Sequence, residues 1–172
     1  MPADYNPAMR LRSILFVCMG NICRSPTAEA VFRAAAQRAG IASGLTIDSA
    51  GTGEWHVGDP PDWRAIAHAQ QRGYDLTALR ARQVSRDDFA RFDWILAMDR
   101  HNLAELKRLR PASYAGHLGL FLEIAPDLAT REVPDPYDGG EDGFETVLDL
   151  VETASDARVA RLRSTPVGQA SA

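Results

Sequence analysis

The apolar run Ser13-Ile14-Leu15-Phe16-Val17 passes into Cys18-Met19-Gly20-Asn21-Ile22-Cys23-Arg24 and then into Ser25-Pro26. A short run with no polar alternation reads as a strand buried on both faces, the pattern of a parallel sheet. Ser25 followed by Pro26 predicts a helix start, with a cap residue and then Pro at the first helical position. Strand, glycine-containing loop and capped helix in this order constrain the fold to the α/β class. The helix carries Ala28, Val31, Phe32, Ala35 and Ala39 at helical spacing, and Gly40 ends it.

The rest of the chain repeats the alternation. Leu45 to Ser49 predicts a second strand, Pro61 to Arg72 a helix stopped by Gly73, and Ser85 with Asp88 a short helical turn. Trp94 to Met98 predicts a third strand, Arg100 to Leu109 a helix, and Leu118 to Leu122 a fourth strand. Asp142 is placed as the cap of a last helix, whose buried face holds Phe144, Val147, Leu148, Val151, Ala154, Val159 and Leu162. The expectation is a single α/β domain: a parallel sheet with helices on both faces and right-handed crossovers. Ligands of such sheets sit at the carboxyl ends of the strands, where the loop Cys18 to Ser25 lies. With 172 residues and no linker-like tract, one domain is expected over residues 11–163, with 1–10 and 164–172 as flexible ends.

Composition removes several functions. The net charge of -4 argues against a dominant nucleic-acid surface. Only two cysteines, Cys18 and Cys23, argue against a disulfide framework or a four-cysteine zinc site. His56, His68, His101 and His117 lack metal-ligand spacing and read as surface residues, so neither a metal nor another cofactor is expected. No segment approaches the ~18 apolar residues of a membrane span, so membrane insertion is not expected. Met1 to Arg12 lacks the apolar core of an export signal, which makes the reducing cytoplasm the expected location and Cys18 a free thiol.

The loop itself carries chemistry. A helix N-terminus presents unpaired N–H groups and a partial positive charge, and a loop curled over it makes an anion site. Gly20 and Asn21 suit the unusual dihedrals of that curl. Cys18 stands at the loop's start and Arg24 at its end, with five residues between them. A field that binds an anion also favours a thiolate: such settings lower a cysteine pKa from ~8.5 to ~3.5–7.5. Arg24 supplies a planar fork suited to two phosphate oxygens. Taken singly, Cys18 would be an inert small hydrophobe and Arg24 a solvated surface charge. Their spacing within one strand–loop–helix unit points instead to a nucleophile seated beneath a tetrahedral oxyanion.

Cys18-Met19-Gly20-Asn21-Ile22-Cys23-Arg24-Ser25-Pro26 resembles the signature of the low-molecular-weight protein tyrosine phosphatases, bacterial-type members included. Asp48-Ser49-Ala50-Gly51-Thr52, Ala81-Arg82-Gln83-Val84, Phe92 to Asp99 and Asp135-Pro136-Tyr137 are similar to further motifs of that family, so the resemblance spans about Arg12 to Leu162. It implies a four-stranded parallel sheet, no metal, phosphotyrosine proteins as substrates and inorganic phosphate as product. A tyrosine kinase is then a candidate partner.

By the same resemblance, Cys18 attacks phosphorus and Arg24 with the loop Met19, Gly20, Asn21, Ile22, Cys23 holds the phosphate. Ser25 supports the thiolate, and Asp135 protonates the tyrosyl oxygen and later activates water. Asn21 and Ser49 brace the loop, while Trp55 and Tyr137 wall the cleft around an aromatic ring. An ordinary Asp has a pKa of ~3.9, so its role as an acid requires bound phosphate and partial burial to raise it. Alone, Asp135 would read as a turn aspartate among Pro134, Pro136, Gly139 and Gly140. Trp55 reads equally as a cleft wall or as a core or edge residue; Trp63 and Trp94 are expected in the core. Leu79 stands where many eukaryotic members carry a supporting His, which implies a smaller bracing network.

Cys23 lies in the same curled loop as Cys18, so it reads either as a partner resolving an oxidised Cys18 to a disulfide or as a small core residue. Three other functions fit the chain less well. Arsenate reduction needs further cysteines later in the chain, and none follows Cys23. Phosphoarginine hydrolysis goes with Thr rather than Ile at position 22. A redox-sensing phosphotyrosine-binding module would not need Cys18, Arg24 and Asp135 together.

Overall fold

The structure, a computed structural model, describes residues 11–140 and 142–164. Four strands, β1 (Ser13–Cys18), β2 (Thr46–Gly51), β3 (Trp94–Ala97) and β4 (His117–Leu120), form one sheet in the order β2-β1-β3-β4. Every neighbouring pair is parallel, with Ser13 to Cys18 in register with Thr46 to Gly51 and Ile14 to Val17 with Trp94 to Ala97. The α helices are α1 (Arg24–Arg38), α2 (Trp63–Gln71), α3 (Asp88–Arg91), α4 (Arg100–Leu109) and α5 (Asp142–Ser164).

Because a strand's side chains alternate between faces, the unbroken apolar run of β1 supplies two cores at once. Ile14, Phe16 and Cys18 join a core with Val31, Phe32 and Ala35 of α1 and Phe144, Val147 and Val151 of α5. Leu15 and Val17 join the other, with Phe89 of α3 and Leu106 of α4. Helices therefore cover both faces, as the sequence pattern implies. The chain leaves β1 toward β2 on one side and β3 lies on the other, so the loop after Cys18 opens at the switch of strand order, where such sheets bind ligands.

Several boundaries differ from the sequence reading for local reasons. The first helix begins at Arg24, and its cap residue is Cys23 rather than Ser25. Pro26 still falls in the first turn, where its missing N–H costs nothing. The second helix begins at Trp63 rather than Pro61, because the Asp62 carboxylate caps it by accepting from the Arg64 N–H at 2.8 Å. The fourth strand stops at Leu120 and gives way to a 3-10 turn, Phe121–Ile124. That turn sends both Phe121 and Leu122 into the same core, which consecutive strand residues cannot do. Trp94 is buried as expected, but Trp63 is 73% exposed and not a core residue. Its place at the solvent face of the first turn of α2 explains the difference. The last helix runs through Ser164, one residue past the expected domain end, so the expected tail 164–172 does not begin at 164; the rest of it, and the expected flexible end 1–10, lie outside the described residues.

Candidate active site

The loop from Cys18 to Arg24 is held from outside by its carbonyls. The Cys18, Met19 and Ile22 carbonyls accept from the N–H groups of Thr52, Gly53 and Asp62 at 2.8–2.9 Å. The Cys23 carbonyl accepts from the Thr27 hydroxyl at 2.7 Å. A trans peptide points its N–H opposite to its C=O. The N–H groups of Met19, Gly20, Cys23 and Arg24 are thereby turned to the concave side, at the N-terminus of α1. Asn21 takes the left-handed conformation, φ 57°, that closes the curl, and its N–H donates to Cys18 Sγ at 3.3 Å. Gly20 is not in that region, so Asn21 alone supplies the strained turn.

A chain of polar side chains runs from the sulfur into the core. Ser25 Oγ lies 3.0 Å from Cys18 Sγ. Asn21 Nδ2 donates to Ser25 Oγ at 2.8 Å and to Ser49 Oγ at 3.0 Å. With one lone pair of Ser25 filled by that amide, its hydroxyl hydrogen is free for the sulfur, the nearer acceptor compared with the Ala50 carbonyl at 3.4 Å. Ser49 Oγ donates to Glu29 Oε1 at 2.8 Å, and Asn21 Oδ1 accepts from the Arg82 N–H at 3.0 Å. Burial pushes the Glu29 carboxyl above its ordinary range, against the pull of Ser49 and Arg33.

Arg24 is buried, with 2% of its surface exposed, and is fixed on one edge. Nη1 donates to Asp99 Oδ2 at 2.6 Å and to the Val133 carbonyl at 3.1 Å. Both Nη1 hydrogens are thus spent, leaving Nε and Nη2 as a two-pronged edge for an oxyanion. Burial opposes the charge, but Cys18, Asp99 and Asp135 outweigh it and hold the guanidinium protonated. Asp99 is itself oriented, because its other oxygen caps α4 by accepting from the Asn102 N–H at 2.8 Å. Asp135 stands at the mouth, half-exposed, with Oδ2 3.6 Å from Arg24 Nη2 and Oδ1 accepting from the Tyr137 N–H at 3.1 Å.

The structure brings together Cys18, Arg24, Ser25, Asn21, Ser49 and Asp135, with Tyr137 exposed beside them. Trp55 is 71% exposed, with its ring laid against Gly53. His56, read from sequence as an ordinary surface residue, instead enters this region. Its ring centroid is 6.4 Å from that of Tyr137, and a Cβ at Gly20 would sit 3.1 Å from His56 Cδ2. Cys23 packs in the main core, and burial, then the charges of Asp62, Cys18 and Asp135, push its thiol strongly upward. Sequence reasoning also passed over Asp99, Glu29 and Arg64. A buried Arg beside an anion site implies a fixed acidic partner, but no spacing rule singles out which Asp supplies it.

Gly51 shows how tightly the loop is seated. A Cβ there would lie 2.6 Å from the Met19 carbonyl oxygen and 3.1 Å from the Asn21 nitrogen, both backbone atoms. Gly51→Ala must therefore displace the loop, and displacements of about 1 Å in a reacting site cost about 10²-fold. Inhibition by inorganic phosphate should weaken by a comparable factor. Parental phosphate inhibition in this variant would show that the loop can yield at Met19 without losing its anion geometry.

The sequence profile described as low molecular weight phosphotyrosine protein phosphatase matches residues 13–167. The low molecular weight phosphotyrosine protein phosphatase of Schizosaccharomyces pombe is 48% identical over 141 residues, 81% of this chain and 90% of that protein. The low molecular weight protein-tyrosine-phosphatase of Streptomyces coelicolor is 44% identical over 160 residues, covering 91% of this chain and 97% of that one. The crystal structure of a protein tyrosine phosphatase from Entamoeba histolytica superposes with a TM-score of 0.83 at 39% identity, covering 88% of this chain and 96% of that chain. With the profile spanning almost all of the folded domain, the chain belongs to the low-molecular-weight phosphotyrosine protein phosphatase family.

Proposed function

We propose that this enzyme hydrolyses phosphotyrosine in protein substrates, and small aryl phosphates, through a phosphocysteine on Cys18. The observation that carries the reading is the seating of Cys18 Sγ at the N-terminus of α1, between the Asn21 N–H and Ser25 Oγ. In the first step the Cys18 thiolate forms an S–P bond as the P–O bond to tyrosine breaks. Arg24, through Nε and Nη2, and the inward N–H groups hold the equatorial oxygens, where donors placed in advance act most strongly. Asp135 gives its proton to the departing phenolate oxygen. In the second step Asp135 takes a proton from water, the water oxygen bonds to phosphorus, and the S–P bond breaks to release inorganic phosphate. Ser25 donates to the sulfur as it leaves with the electron pair. Dividing one displacement into two easier ones is the gain of covalent catalysis.

Asn21 and Ser49 keep the loop rigid through this cycle, with Tyr137 and Trp55 flanking the substrate ring. Cys23, in the same loop as Cys18, is its candidate resolving thiol after oxidation. A tyrosine kinase is the class of enzyme that supplies the substrate, and a reducing compartment such as the cytoplasm keeps Cys18 reduced.

The Asp135 role has a direct test. Asp135→Asn should lower kcat/KM for phenyl phosphate by roughly 10²–10⁴-fold, the contribution of a positioned general acid. The deficit should shrink along a series of more acidic phenols, because a good leaving group departs without a proton. An equal deficit across the series would mean that Asp135 does not protonate the leaving oxygen.

A further inference from the structure

Arg64, in the first turn of α2, belongs neither to the phosphate loop nor to the segment bearing Asp135, yet it joins the two. Its Nε and Nη2 donate to Asp62 Oδ1 and Oδ2, each at 3.1 Å. Nη2 also donates to the Tyr137 main-chain carbonyl at 3.0 Å. The guanidinium lies 5.7 Å from the centre of the Tyr137 ring and 4.8 Å from that of Phe144.

Both ends of this bridge lead to reacting groups. Asp62 donates its N–H to the Ile22 carbonyl of the phosphate loop at 2.8 Å. Although burial opposes its charge, the bonds from the Arg64 side chain and backbone keep the Asp62 carboxyl below its ordinary range. At the other end, the Tyr137 N–H donates to Asp135 Oδ1 at 3.1 Å. The residues 134–140 have no helix or strand of their own. The far end of this segment meets α5 through the Gly143 N–H, which donates to the Gly140 carbonyl at 3.1 Å. Near Asp135, the Arg64 bond ties the segment to α2, alongside the 3.6 Å ion pair of Asp135 with Arg24.

We propose that Arg64 is a positioning residue that latches the acid-bearing segment to the wall of the phosphate loop, so that Asp135 faces the leaving oxygen. The proposal rests on the reading of Asp135 as general acid. A purely structural role for Arg64 in holding α2 is unnecessary, because α2 is separately fastened to α5. His68 Nδ1 lies 2.6 Å from Glu145 Oε1, and the Arg72 just beyond α2 pairs with Asp149 at 2.9 Å and Glu152 at 2.8 Å. A guanidinium also suits the task where an ammonium does not. Its fork engages both Asp62 oxygens and the Tyr137 carbonyl while its face lies on two rings.

The test is kcat/KM over aryl phosphates from phenyl to 4-nitrophenyl for Arg64→Met, Arg64→Lys and Asp135→Asn. Arg64→Met should lose about tenfold on phenyl phosphate, within the ~10²-fold that small misplacement can cost, and only about twofold on 4-nitrophenyl phosphate. Arg64→Lys should lie nearer to the Met variant than to the parent. Inhibition by inorganic phosphate should stay within about twofold, since the phosphate loop is untouched. Added to Asp135→Asn, Arg64→Met should cost little more, because both act on one step. An equal loss on every substrate, weakened phosphate inhibition, or parental rates throughout would overturn the latch. If Asp135→Asn is steep across the series and Arg64→Met is flat, the latch fails and the acid stands. A flat Asp135→Asn profile removes both.

Discussion

Cys18→Ser should turn over aryl phosphates about 10⁶-fold more slowly than the parent, the scale on which loss of a covalent nucleophile acts. A thiol reaches its anionic form within reach of neutral pH, whereas an alcohol does not. The surroundings of position 18 survive the exchange. A hydroxyl can still meet the Asn21 N–H and Ser25 Oγ, now 3.3 Å and 3.0 Å from the sulfur. The Thr52 and Gly53 bonds to the loop carbonyls do not involve the side chain. The variant should therefore bind inorganic phosphate with near-parental affinity and melt close to the parent. Loss of phosphate binding in step with turnover would show that the substitution had disrupted the loop. Substantial turnover would remove Cys18 from the chemistry.

Arg24→Lys should cost about 10³-fold or more in kcat/KM, the range seen when a donor or guanidinium serving a phosphoryl or oxyanion transition state is removed. The reason lies in how Arg24 is divided. One nitrogen is consumed by Asp99 and the Val133 carbonyl, and the proposed mechanism assigns the remaining edge to the anion. An ammonium that satisfies Asp99 is withdrawn from the oxyanion, and one that reaches the oxyanion leaves Asp99 and a buried carbonyl unpaired. The variant is forced to choose. Near-parental kcat/KM would show that two oxygens are not held in one plane by Arg24. A Tm measured alongside separates this loss from unfolding, because the Asp99 cap on α4 does not require Arg24.

How far these features were legible in the sequence follows from their range along the chain. The phosphate loop is local. Its strand, curl, thiol and guanidinium fall within Ser13 to Ser25, and backbone rules for that stretch suffice to read it. The alternation of apolar runs and helical faces likewise gave the parallel sheet, since β1 can bury Leu15 and Phe16 on opposite faces only between two helical layers. Ser25 was misread as a cap because capping is the usual fate of Ser before Pro. Here its hydroxyl is engaged by Asn21 and Cys18, a demand set by the site and not by the helix. Trp63, expected in the core, follows the Asp62 cap as the first residue of α2 and is 73% exposed. Asp99, His56 and Arg64 act across long sequence separations, and Glu29, one turn beyond Ser25 on α1, meets Ser49 twenty residues away. Residue type and spacing give no signal for such pairings.

In the proposed mechanism phosphate passes through the sulfur of Cys18. Asp135→Asn should slow both release of the aryl group and attack by water, and an aryl phosphate with an acidic phenol restores the first step alone. Acid quenching of that variant during turnover, followed by peptide mass mapping, should find one phosphoryl group on the peptide carrying Cys18, fragmenting at sulfur. Phosphate on any other residue, or turnover at the same rate with no protein-bound phosphate at any quench time, would contradict the account.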